Sequence, residues 1–225
     1  MLIGKPETDG DNVISKLSKV VHLVWLVPLL CSGYYLSKMA YISVKAELAQ
    51  YLLISSWQQI EQQTAIQNGS QLQLTEQILA QYKPWHWADF YPVARLTIPK
   101  ITLDQIVVNR DSGQALAFAP GLMATSISNT DEGSSIFIAG HNDTHFDGLD
   151  KLIVGDTIRY QSAGKKASEY RVSARYLFDT QTHQFVYQAS SKTLYLVTCF
   201  NTNQFQQSDQ STPYRLIVEA ELISN

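Results

Sequence analysis

Three residues in this chain have the chemistry of thiol acyl transfer, and each stands at the edge of an apolar run. Cys199 closes Thr193-Leu194-Tyr195-Leu196-Val197-Thr198 and opens onto polar Asn201-Thr202-Asn203-Gln204. His141 follows Ile136-Phe137-Ile138-Ala139-Gly140, and Arg215 stands where a polar stretch enters Leu216-Ile217-Val218. A thiolate can attack a carbonyl, an imidazole can carry the proton, and a guanidinium can steady the developing oxyanion. Plainer roles exist for each. Free cysteine is among the most buried residue types. His141 could cap a turn, and Arg215 could pair with Glu219 or Asp209.

The neighbours of these three suggest supporting roles. Thr198 could shape the site through its backbone or its hydroxyl, and Asp143 could orient His141 or cap its turn. His145 follows His141 by four residues, but a zinc site would want more ligands close by, so no metal or cofactor is expected. His86 reads as structural and His183 as a solvated loop residue. The second cysteine, Cys31, lies in a distant apolar stretch, which leaves Cys199 a free thiol.

Strands must carry these groups. Thr193 to Val197 is continuously apolar or β-branched, the pattern of a strand covered on both faces. Further strands are expected at 94–98, 105–108, 134–139, 157–160, 170–178 and 214–220, with one helical turn at 114–118. Turn signals separate them, among them Asp111-Ser112-Gly113 and Gly155-Asp156. Seven or eight short strands without regular intervening helices predict a mainly β domain over 84–225, closed as a barrel or packed as a sandwich.

The N-terminal part is different. Val20 to Leu36 carries no formal charge, and with the residues to Ile42 it is long enough for a helix to cross a ~30 Å hydrocarbon layer. Pro28 would kink that helix, and Tyr34, Tyr35 and Tyr41 suit an interface. No small-residue cleavage site follows, which favours a retained anchor over a signal peptide; a buried core helix is the other alternative. Lys5, Lys16 and Lys19 ahead of the span tilt the orientation toward the N-terminus inside. The expected order is a cytoplasmic tail at 1–19, a transmembrane anchor at 20–42 and a helical stalk or cover at 43–83. In the stalk, Val44, Leu48, Tyr51, Leu52, Trp57 and Ile60 recur at near-helical spacing, and a short helix should start near Thr75. The aromatic stretch Trp85 to Tyr91 could bind a ligand, close a barrel mouth or pack a helix on it. A net charge of −3 without basic clusters argues against nucleic acid as a partner.

The blocks IFIAGHNDTHFDGLDKLIVGDTIRY, LYLVTCF and YRLIVEAEL, in that order, resemble the sortases, membrane-anchored cysteine transpeptidases of bacterial surfaces. The form AGHxDTHF and the stretch Ala115 to Gly121 look most like those of Gram-negative, notably marine, proteobacteria. The resemblance implies a closed sortase-type β-barrel with Cys199, His141 and Arg215 as catalytic residues. Thr198, Asn142 and Asp143 would line the substrate path. It further implies cleavage of a C-terminal sorting signal through a thioacyl enzyme, transfer to an amine on the envelope or on another protein, and a periplasmic catalytic domain. Tyr195, Asn142 and Asn201 depart from the family pattern and bear on substrate preference. Two rivals are an idle tethered barrel that binds peptide or glycan, and a cysteine acyl-transferase acting on peptidoglycan.

Overall fold

The computed structural model describes residues 9–66, 74–124, 126, 135–182, 192–200 and 213–224; side chains within 9–23, at 27, 36 and 39–46, and at 66 and 224 lie outside that description. The chain divides into two compact units, Met1–Leu48 and Ala49–Asn225. In the first, helix α1 (Asp9–Ile66) begins and runs through Pro28. Trp25, Leu26, Leu29, Leu30, Tyr34 and Tyr35 are all exposed along it. Among the described residues no helix is long and apolar enough to cross a membrane.

The second unit is an eight-stranded closed barrel. Its strands are β1 (Pro92–Ile98), β2 (Leu103–Val108), β3 (Gly121–Leu122), β4 (Ile136–Gly140), β5 (Thr157–Ser162), β6 (Ser168–Asp179), β7 (Thr193–Cys199) and β8 (Tyr214–Ser224). Around the barrel the order is β1-β2-β3-β4-β7-β8-β6-β5. The closure is narrow at β3, which meets β2 at a single register position. Alternation builds the interior: Ala94, Leu96 and Ile98 of β1 join Leu194 and Leu196 of β7 and Val218 and Ala220 of β8 in one buried cluster. Seven strands lie where the sequence predicts them. The eighth, β3, is two residues long, too short to show any alternation. It pairs parallel with β2 through Gly121 and Val108, and antiparallel with β4.

Two short helices, α2 (Glu76–Leu79) and α3 (Gly113–Leu116), interrupt the connections. The hydroxyl of Ser112 accepts from the Ala115 N–H and caps α3. The C-terminal part of α1 covers one flank of the barrel. Leu53, Trp57 and Ile60 are fully buried, against Phe90 and Val108 and against Tyr91 and Ile106. That stripe differs from the expected one: Leu48 and Tyr51 are exposed. At about 100° per residue, 53, 57 and 60 share a face and 48 and 51 lie nearly opposite. The aromatic stretch serves this packing. The Trp85 ring stands edge-on to Phe90 and Phe118, with centroids 5.4 and 5.0 Å apart.

Candidate active site

Parallel strands β4 and β7 lie side by side and end at the same level, where Gly140 pairs with Thr198. The Thr198 hydroxyl donates to the Gly140 carbonyl at 2.8 Å and is buried. Its side chain belongs to the interior face, with Leu194 and Leu196, and ties the two strand ends together. Successive residues of a strand project to opposite faces, so Cys199 points outward, and it is exposed.

Antiparallel β8 lies on the other side of β7, and its Arg215 is directly opposite Cys199. Directly opposed residues project to one face of a sheet. Arg215 is half-buried, and its Nη1 donates to the Tyr214 carbonyl at 3.0 Å. The Phe200 N–H donates to the same carbonyl and continues the ladder one residue past Cys199.

His141 is the first residue after β4, one step beyond Gly140, as Cys199 is one step beyond Thr198. A tight turn holds it there: the Phe146 N–H donates to the His141 carbonyl at 2.9 Å. Phe146 is fully buried, and a Cβ on Gly140 would meet its ring at 2.8 Å, so only glycine fits before the histidine. With strands about 4.8 Å apart, the backbones of His141, Cys199 and Arg215 span roughly two strand spacings, the cysteine in the middle. The sequence places these residues in three separate blocks; the strand register sets them side by side.

The other expected site residues take different positions. Asn142 is half-buried and Asp143 exposed, both in the turn after β4. His145 is buried, its ring 6.1 Å from that of His141 and tilted by 26°. Burial, then the neighbouring His141, push its pKa below the usual imidazole value, so it is held neutral. Among the described residues no three His, Cys, Asp or Glu side chains gather in a group that could hold a metal ion. Glu219, the alternative partner for Arg215, accepts from the Tyr176 hydroxyl at 2.9 Å. Asp209, Asn201 and His183 lie outside the described residues.

Sequence reasoning missed a wall on the outer face of the same strands. The Phe137 and Tyr195 rings stack with centroids 4.5 Å apart and 11° between planes. With Ile217 they are buried, and Val197, Phe178 and Met123 pack against them. Val197 opposes Ile217, two rungs from the Cys199–Arg215 pair and on the same face. The signal was present: β7 has hardly a polar residue on either face. The exposed Cys199 thus ends a strand whose outer face is covered by Met123 and Phe178, with the backbones of His141 and Arg215 beside it. That set of residue types suits attack by the thiol on a carbonyl.

No curated relative matches the sequence significantly. Solved structures share the architecture. The sortase D5 transpeptidase of Clostridium perfringens superposes with a TM-score of 0.55 at 19% identity, over 77% of this chain and 99% of that one. Sortase A of Corynebacterium diphtheriae gives 0.52 at 18% identity, over 81% and 92%. At such identities the likeness speaks for the fold. The sequence itself matches the Sortase domain family over residues 96–223. That span takes in β7 and its thiol, the turn that holds His141 and the rung that carries Arg215, and the chain belongs to the sortases, the family of cysteine transpeptidases.

Proposed function

We propose that Cys199, His141 and Arg215 carry out this chain's transpeptidation, with Cys199 as nucleophile. The register supports this reading above all: Cys199 is opposite Arg215 on one side, and Gly140 is paired with Thr198 on the other. The Cys199 thiolate attacks a backbone carbonyl of a C-terminal sorting signal, and the C–N bond breaks to leave a thioester. His141 gives a proton to the departing amine and takes one from the amine that then attacks. Arg215 donates hydrogen bonds to the substrate carbonyl as it becomes an oxyanion. Thr198 acts from behind by fixing the strand ends, while Asn142 and Asp143 edge the path of the incoming chain.

The chain also acts at a membrane in this reading, with 20–42 as a single-pass anchor in the inner membrane and the barrel in the periplasm of a Gram-negative cell. Large apolar side chains exposed between Val24 and Tyr35 support the anchor. A chain lacking residues 1–42 should partition into the soluble fraction after alkaline extraction, and the full chain into the pellet. The test of the chemistry is mass spectrometry of the enzyme after exposure to its native surface proteins. A peptide adduct on Cys199 that hydroxylamine releases is expected. A muropeptide on that thiol, or no adduct at all, would overturn the sorting-signal reading.

A further inference from the structure

The end of the barrel away from Cys199 has a cavity of about 440 Å³. It opens where β5 ends and β6, β7 and β8 have their distal termini. From Thr193 to Cys199 is a rise of roughly 20 Å, so this cavity is separate from the thiol. Lys165, Lys166 and Lys192 line it, with Tyr160 and Tyr170 on the wall and Ile136 and Leu222 as apolar surface. Among the described residues no aspartate or glutamate lines it.

The three lysines are set there by the fold. The Leu222 N–H donates to the Lys192 carbonyl, which extends the β7–β8 ladder by one residue. Lys192 is therefore in phase with Leu194 and Leu196, on the interior face. Lys192 is exposed at the barrel mouth and lines the cavity. Lys165 and Lys166 sit in the β5–β6 turn, which closes through the Lys165 N–H donating to the Ser162 carbonyl. Gly164 takes φ +72 in that turn, and a Cβ there would meet Leu74 at 2.6 Å, so the turn is pressed against the preceding segment. Near the turn, Glu61 accepts from Gln161 at 3.3 Å. Burial, above all, pushes Tyr160 up to about 12, and burial likewise raises Tyr170. Both hydroxyls thus stay protonated and can donate at neutral pH.

We propose that this cavity binds a phosphate group carrying two negative charges, a phosphomonoester or pyrophosphate. Three ammonium groups and two phenol donors, with no carboxylate among the described lining residues, match an anion that has several acceptor oxygens. The volume falls within the range of small-ligand sites, roughly 300–1,000 Å³. A free phosphate compound and a phospholipid headgroup offer the same chemistry, and Ile136 and Leu222 could meet the first carbons of either.

Calorimetry on the full chain in neutral detergent tests this, with inorganic pyrophosphate and short-chain phosphatidic acid as the two probes. Saturable binding of at least one probe is expected, weakening as salt rises. Lys165→Gln/Lys166→Gln/Lys192→Gln together should weaken it about 10- to 100-fold. The matching triple Lys→Arg variant should keep it within about threefold, because charge is retained. Tighter binding of phosphatidic acid would assign the site to lipid, and tighter binding of pyrophosphate to a soluble ligand. Absence of saturable binding by either probe, or equal binding by the Gln variant with an unchanged melting curve, would overturn the proposal.

Discussion

The two faces of β7 carry opposite burdens. Leu194, Leu196 and Thr198 face the interior, the leucines fully buried and Thr198 nearly so; their work is cohesion. Tyr195, Val197 and Cys199 face outward and end in an exposed thiol. One strand thus joins the rigid core of the barrel to its reactive edge with no loop between them. Side chains on a packed strand are held more closely than side chains on a loop. The contrast lets stability and chemistry be broken separately. Cys199→Ala carries the largest effect: cleavage of a sorting-signal peptide should fall to background, while the melting temperature stays put because the thiol is exposed. Surviving cleavage would show that the outer face does not carry the nucleophile.

The opposite rung gives the next largest change. Arg215→Ala should lower kcat/KM for that peptide by about 10²- to 10³-fold, the range for loss of one oxyanion donor. Arg215→Lys should recover only part of it, because an ammonium cannot reproduce the planar fork. Full activity in Arg215→Ala would limit the outer-face machinery to the thiol and the imidazole.

A third pair of substitutions probes the inner face against the outer one. Leu196→Ala removes fully buried methyl groups and should cost about 2–5 kcal/mol by chemical denaturation. Val197→Ala, its half-buried neighbour on the outside, should cost about 1 kcal/mol or less but weaken peptide binding. Equal losses of stability would erase the distinction between the faces. Thr198→Val lies between them. It leaves the Gly140 carbonyl without its 2.8 Å donor, which should cost about 1 kcal/mol and loosen the alignment of His141 with Cys199.

How legible this was in the sequence follows from the same geometry. Cys199, His141 and Arg215 could be picked out because each closes or opens an apolar run, and a run of that composition fixes a strand. Their neighbourhood could not, since residues in separate blocks meet only through register. The two-residue β3 has no period to detect. The stripe on α1 differs from the expected one because Leu48 and Tyr51 are apolar yet exposed, and only the phase of Leu53, Trp57 and Ile60 decides. The stacked Phe137 and Tyr195 were visible as apolar residues but not as a wall outside the barrel, because a strand covered on both faces looks the same whatever covers it.

The smallest expected effect concerns the two histidines of the β4 turn, which repeat the contrast between outside and inside at short range. His141 is exposed, and His145 is buried. Burial, first, and then the charge of His141 hold the His145 pKa below its ordinary value; the Phe118 carbonyl and Asp143 oppose this without reversing it. A buried imidazole with a lowered pKa takes up its proton at lower pH in the fold, whereas in the unfolded chain it takes one up near pH 6.5. Its contribution to stability is therefore fully present above about pH 6.5. It shrinks as the pH falls through that value and levels off once the folded protein protonates too. The wild type should lose melting temperature between pH 8 and pH 5.5, and His145→Gln should lose less of it. The same substitution should shift the His141 ring resonances at fixed pH, because a ring 6.1 Å away has been exchanged. A parallel pH dependence in the two proteins would mean that His145 protonates freely in the fold and is inner only by position.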